Sequence, residues 1–442
     1  MEDVRLELAS FPVARAVFGP RTALAGDTLS IDRGELTERI LAKTTGLRAV
    51  RLGLVCPGDP ARIIHALDVV EPRCKVEGPG RVFPGFLGEP VTVGQGRTHR
   101  LAGAAVVATT PVIWEDNGIS VKEAVIDMVP PGSAYTPFSR TANIVLSFDL
   151  DEAARFPQWD HDIRLAALIT AEYLAQCTAD LRPAPEALRV CELPPGAART
   201  GGAAGPRLPR VLYVCTLMTE GAVHNTFVYG RKVAGLPAWL HPNEFFDGAI
   251  VSGDHHIAAD RNPTYFQQNN PVIEALYAAH GETLEFGGVI IEETQQISLA
   301  DKERAASQTA KLARWLGADG VVVTHDTAGH AAVNLMLTCQ RCEQLGIRTV
   351  LLVNELNGPD GTDFGLVFAV PEADAIVSTG NKDQIIRLAP VSTVVGGDAI
   401  WDWRGYDDPV EGNARDGFST SLRRLYCSTT QIGAEALTSA AF

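Results

Sequence analysis

Five of the ten histidines in the chain, His224, His255, His256, His325 and His330, stand just beyond short apolar runs, close to carboxylates or carboxamides. Glu220 shares the segment of His224, Asp254 precedes His255, Glu292 and Glu293 close another run, and Asp326 follows His325. Asn354-Glu355 and Thr379-Gly380-Asn381 end two further runs in the same manner. Imidazole beside carboxylate can carry protons at a reacting centre. It can equally ligate a divalent transition metal, with Zn, Fe, Mn and Ni all compatible with that donor set. The candidate catalytic residues are therefore Glu220, Asp254, His255 and His325, with Asn354, Glu355, Thr379 and Asn381 as candidate substrate contacts. The candidate metal ligands are His224, His255, His256, His325, His330 and Glu292. His255 and His256 are adjacent, so on extended backbone they point to opposite faces. No HExxH or HxxxH signature is present. For each histidine the plainer reading is a helix cap or a hydrogen-bonded loop residue.

The elements that would gather these residues lie in the second half of the chain. Continuous apolar runs at 211–215, 248–251, 287–291, 320–323, 349–353 and 375–377 read as strands, and amphipathic stretches at 301–316 and 330–345 read as helices. Strands apolar on both faces and joined by helical crossovers predict a doubly wound, mostly parallel sheet. Ligands of such sheets bind beyond the carboxyl ends of the strands, which is where the histidines fall. The first half is β-rich, punctuated by Gly and Pro. A helix-period segment closes it at about 160–178, with Leu165, Leu168, Ile169, Tyr173 and Leu174 on one face. The expected organisation is a β-rich N-terminal domain at 1–190, a Pro/Gly/Ala-rich linker at 191–209 and a Rossmann-like α/β domain at 210–442 that carries the site.

Composition narrows the class. With 46% hydrophobic and 21% charged residues the 442-residue chain can bury a large core, and a net charge of −15 argues against nucleic acid or an anionic membrane as partner. A charged N-terminus and the lack of any apolar run near 18 residues predict a cytoplasmic protein that does not span a membrane. The eight cysteines mostly sit in apolar runs, the usage of reduced, buried thiols. Cys339-Gln-Arg-Cys342 has redox spacing but reads as mid-helix, away from the helix N-terminus that would lower a thiol pKa.

Several long strings resemble one family. Val70-Glu-Pro-Arg-Cys-Lys-Val-Glu-Gly-Pro-Gly-Arg-Val-Phe-Pro-Gly-Phe-Leu-Gly88, Val93-Gly-Gln-Gly-Arg-Thr-His99 and Ile126-Asp-Met-Val-Pro-Pro-Gly-Ser-Ala-Tyr-Thr-Pro-Phe-Ser139 are similar to the N-terminal part of glycine/sarcosine/betaine reductase component B. In the second half, Asp247-Gly-Ala-Ile-Val-Ser-Gly253, Gln267-Gln-Asn-Asn-Pro-Val-Ile273 and Glu372-Ala-Asp-Ala-Ile-Val-Ser-Thr-Gly-Asn381 carry the likeness. The D-proline reductase proprotein is a related family.

The resemblance implies a precursor cut before a cysteine that follows Val-Ser-Gly-Asn, the cysteine becoming a pyruvoyl group that condenses with a substrate amine. It also implies a partner subunit whose selenocysteine or cysteine attacks the α-carbon. Here the matching string reads Val251-Ser252-Gly253-Asp254-His255. Imidazole can neither accept the acyl group nor leave by elimination, so the expectation is an uncut chain without a pyruvoyl group. Ser252 has a hydroxyl but lies outside the register. A second departure is Thr324-His325-Asp326-Thr327-Ala328-Gly329-His330, where the family turn is glycine-rich. Three readings follow. The chain acts on an amino-acid-like small molecule through a His-bound metal. Alternatively, it is a subunit of a thiol- or selenol-dependent reductase complex with His255 or Asp254 as acid/base. In the third it is a non-catalytic paralogue that binds a ligand or assembles a complex. A homo-oligomer is the expected state.

Overall fold

The computed structural model describes residues 4–111, 123–193, 207–219, 225–294, 298–326, 329–363, 365–397, 400 and 411–433. Its second half is organised by a six-stranded sheet in the order Ala238–Leu240, Glu285–Glu293, Arg210–Leu217, Gly320–Thr324, Arg348–Glu355, Ile376–Asn381. All neighbours pair in parallel except the Ala238–Leu240 edge, which is antiparallel to Glu285–Glu293. Counted along the chain, the parallel strands stand second, first, third, fourth, fifth. The order therefore reverses between Arg210–Leu217 and Gly320–Thr324, where a crevice at the carboxyl edge is expected.

Burial on both faces explains the unbroken apolar runs. Leu212, Val214, Val321, Val323, Leu351 and Val353 pack under the helices Leu299–Trp315 and His330–Gln344. Tyr213, Cys215 and Leu217 face the other way, against Val272, Ile273 and Leu276 of the helix Pro271–Ala279 and against Leu6 and Leu8 of the N-terminal strand Arg5–Pro12. The helix Leu299–Trp315 starts where Ser298 accepts the Asp301 backbone N–H at 3.1 Å, and it turns Ala305, Ala306, Ala310 and Ala313 inward at helical spacing.

The run at 248–251 is not a strand of this sheet. Only Ile250–Val251 is extended, and it pairs with Phe227–Val228 in a separate three-stranded sheet. Gly248 has φ +76° and lies so close to the Phe83 ring that a Cβ could not fit, so the chain turns there instead of extending. The edge position is taken by Ala238–Leu240, whose Trp239 indole donates to the Gly287 carbonyl at 3.0 Å. Three residues are too few to display a period.

The N-terminal half builds two four-stranded sheets, Leu188–Glu192/Arg5–Pro12/Gly96–Ala102/Arg73–Glu77 and Leu47–Val55/Ala142–Leu150/Ala104–Thr109/Ala66–Val70. The helix Gln158–Gln176 packs on them through Ile163, Ala166, Ala167, Leu168, Ala171 and Leu174, leaving Leu165 and Ile169 half-buried. Most of the expected linker lies outside the described residues. After Lys382 the chain returns to the first half: Thr393–Val395 pairs in parallel with Ala61–Ile64. The buried Arg62 secures the return by donating to the carbonyls of Ala414 at 2.5 Å and Ala389 at 2.7 Å and to Asp127 at 2.9 Å. No helix among the described residues is long and apolar enough to cross a membrane.

Candidate functional site

The segment 252–262 leaves the short Ile250–Val251 strand and is laid across the carboxyl ends of the parallel strands. Asn262 Nδ2 donates to the His325 carbonyl at 3.2 Å and to Asp326 Oδ1 at 2.5 Å, tying the segment to the end of Gly320–Thr324. Asp260 accepts from Asn354, at the end of Arg348–Glu355, and pairs with Lys382 Nζ at 2.5 Å, just past Ile376–Asn381. Thus a loop that does not come from the sheet is held at its carboxyl edge by buried polar contacts.

Two buried arginines fix the course of the loop. Arg261 donates to the carbonyls of His255 at 2.9 Å, His256 at 2.8 Å and Ala66 at 2.8 Å. Arg164, from the N-terminal helix Gln158–Gln176, donates to the Ser252 carbonyl. Gly253 between them passes so near the Asn225 carbonyl that any Cβ would collide with it. The loop thereby presents Asp254 and His255, both 2% exposed, to the interior.

His255 Nε2 lies 2.7 Å from Asp160 Oδ1, and Arg164 Nη2 lies 3.1–3.2 Å from the two Asp160 oxygens and 3.4 Å from His255 Nε2. Burial works against a charged Asp160, but the Arg164 guanidinium and the His255 ring outweigh it and hold the carboxyl well below the usual carboxylate range. Asp254 is different. Burial pushes its pKa up against the pull of Arg261, and while Oδ1 accepts the His256 N–H at 2.9 Å, Oδ2 has no hydrogen-bond partner among the described residues.

At the switch point, Asp326 Oδ2 accepts the Met218 N–H at 3.0 Å and Thr226 Oγ1 at 3.4 Å. Burial, with the Asp254 charge nearby, pushes its pKa up to about 7. His325 is 2% exposed, and neither ring nitrogen has a hydrogen-bond partner among the described residues. Burial and the Lys382 charge push its pKa down to about 3, so at neutral pH it is an uncharged imidazole offering one donor and one acceptor.

The structure distributes the other expected residues unevenly. Asn354 and Thr379 reach the same edge and are engaged there, Asn354 with Asp260 and Gln431, Thr379 with the Thr429 carbonyl at 3.1 Å. Glu355 and Asn381 instead tie down the turn after Arg348–Glu355, through Asn357 and the Gly358 carbonyl. Glu292 faces the helix layer, where Thr338 Oγ1 donates to both its oxygens at 3.0–3.1 Å. His330 is exposed at the start of its helix, and His256 is half-buried. Glu220 and His224 lie outside the described residues. Among the described residues, no three His, Cys, Asp or Glu side chains converge as a metal-ligand set, so these residues by themselves do not fit the expected metal centre. Cys339 and Cys342 are buried within the helix His330–Gln344, and burial raises both thiol pKa values.

Asp160, Arg164, Asp260, Arg261, Asn262 and Lys382 were not singled out from the sequence. One signal was available: Asp160 and Arg164 are an i,i+4 opposite-charge pair in a helix-period segment.

Fold and site together define a class, an α/β protein whose mostly parallel sheet is closed at its carboxyl edge by a buried, charged loop shared with a β-rich N-terminal half. The chain belongs to the glycine/sarcosine/betaine reductase component B family, whose model, described as glycine/sarcosine/betaine reductase component B subunits, matches residues 4–440. It is 38% identical to glycine reductase complex component B subunits alpha and beta of Acetoanaerobium sticklandii over 398 residues, 89% of each chain. It is 36% identical to the protein of the same description from Peptoclostridium acidaminophilum over 423 residues, covering 95% of this chain and 93% of that one. The sarcosine reductase complex component B subunit alpha of Peptoclostridium acidaminophilum is 33% identical over 441 residues, 98% of this chain and 99% of the relative. No solved structure matches.

Proposed function

We propose that this chain is a component of a reductase complex that acts on an amino-acid-like small molecule without a pyruvoyl group, using His255 as its acid/base. One observation carries the reading. At the position where the family resemblance puts the pyruvoyl-forming cysteine stands a buried imidazole, with Nε2 2.7 Å from the ionised Asp160. Imidazole backed by a carboxylate is suited to proton transfer and cannot become a pyruvoyl group. In the step we envisage, a thiol or selenol of a partner subunit gives its proton to His255 and attacks the α-carbon. The electron pair of the breaking carbon–heteroatom bond goes to the leaving heteroatom, which takes the proton back from His255. The products are a thioether or selenoether on the partner and the protonated leaving group. Asp160 stabilises the imidazolium between the two transfers.

The test has two parts. Intact mass spectrometry should give one species near 47.3 kDa. Turnover of α-substituted carboxylates by the chain with a thiol or selenol partner subunit should fall on the order of 10²-fold or more in His255→Gln. Two fragments with a carbonyl-bearing N-terminus on the second, or undiminished turnover in His255→Gln, would overturn the proposal.

His325 favours a second reading. With both ring nitrogens buried and unpartnered among the described residues, it can bind a group that these residues do not supply, and a divalent transition metal is one such group. Elemental analysis of untagged protein tests it, with substoichiometric metal as the negative result.

A further inference from the structure

We infer that Asp160 is a positioning residue for His255: from the N-terminal half it holds the imidazole with the proton on Nε2 and so makes Nδ1 the acceptor nitrogen. The inference rests on the proposed acid/base role of His255 for its functional meaning, but the geometry stands without it. Among the described residues, Arg164 and Asp160 compete for Nε2. Arg164 could donate to it from 3.4 Å, which would require Nε2 to be unprotonated. Asp160 Oδ1 is 0.7 Å closer, at 2.7 Å, and a carboxylate can approach that closely only an N–H. The charge-assisted bond to Asp160 therefore sets the tautomer.

Asp160 is placed for this task and for little else. It lies in the first turn of Gln158–Gln176, where the helix N-terminus favours an anion, yet it makes no capping contact. Its contacts are Arg164, one turn on, and His255, ninety-five residues away. Arg164 completes the device by holding the Asp160 carboxylate and the Ser252 carbonyl of the His255 loop with the same guanidinium. The Phe227 ring lies 5.3 Å beneath that guanidinium. Arg261 in turn holds the His255 carbonyl. Ring and backbone are thus held by different residues, and the ring orientation depends on the packing of the two halves of the chain.

The test is the nitrogen NMR spectrum of the full-length chain labelled with 15N-histidine, the His255 signals assigned by their loss in His255→Gln. Wild type is expected to show Nε2 protonated and Nδ1 unprotonated at pH 8. In Asp160→Ala, Arg164 is left to donate to Nε2, and the proton is expected on Nδ1. Asp160→Glu should restore the wild-type pattern at least in part. Where Asp160→Ala does not fold, Asp160→Asn keeps the shape without the charge and should show loss of the single-tautomer spectrum. A wild-type His255 protonated on Nδ1, or a tautomer unchanged in folded Asp160→Ala or Asp160→Asn, would overturn the inference. No substrate enters the measurement. Failure of the proposed reaction would instead appear as absent turnover with the Nε2 tautomer intact.

Discussion

Lys382 Nζ stands 2.5 Å from Asp260 Oδ2, and both side chains are fully buried. The pair joins the residue just past the last parallel strand to the loop that carries His255, so it fixes where that loop sits on the sheet. Asp254, earlier in the same loop, feels both the Arg261 and Lys382 charges.

Breaking this pair should be costly when only one partner is removed. Lys382→Met leaves Asp260 buried without its cation and is expected to destabilise the fold by about 3–5 kcal/mol. Adding Asp260→Asn should recover much of that loss, because the uncompensated charge is gone. Urea unfolding of the single and double variants measures both. Equal destabilisation in the two would contradict the electrostatic account.

Glu292 gives the fold a pH dependence of known sign. Its ordinary pKa of 4.5 is pushed up to about 7 by burial, against the hydrogen bonds from Thr338. A carboxyl whose folded pKa is raised binds its proton more tightly in the folded chain. Its contribution is fully present below about pH 4.5, is lost as pH rises, and is gone above about pH 7. A shift of that size corresponds to on the order of 3 kcal/mol. Glu292→Gln should therefore match wild type near pH 4.5 and exceed it in denaturant midpoint above pH 7. Parallel pH profiles for the two proteins would show that Glu292 is not the source.

His325→Met should separate stability from binding. The ring makes no hydrogen bonds among the described residues, so its removal forfeits none and relieves two buried polar atoms. The expected change is stabilisation by about 1 kcal/mol, together with loss of any bound ligand or metal. A loss of more than about 2 kcal/mol would mean that the imidazole has a structural partner.

Legible from the sequence alone were the parallel strands of the second half and the edge where polar residues gather. Five of the apolar runs became the parallel strands because a strand buried on both faces has no polar side to interrupt it, and that pattern is visible without coordinates. The family likeness was legible for a related reason: long strings of Gly, Pro and buried polar residues mark backbone turns and networks that few other residues can satisfy. The edge strand Ala238–Leu240 escaped notice because it is short. The run at 248–251 misled because apolar character shows burial, not which sheet a segment joins. The partners of His255 and of the loop that carries it were decided only in three dimensions. Asp160 sits on a helix of the other half, Lys382 follows the last strand, and Arg261 turns back onto its own loop. The first two contacts join residues about a hundred positions apart, and the third depends on how the loop folds back on itself. A buried charge takes its partner from whatever the packing brings within hydrogen-bond reach, and that reach is set by the tertiary fold.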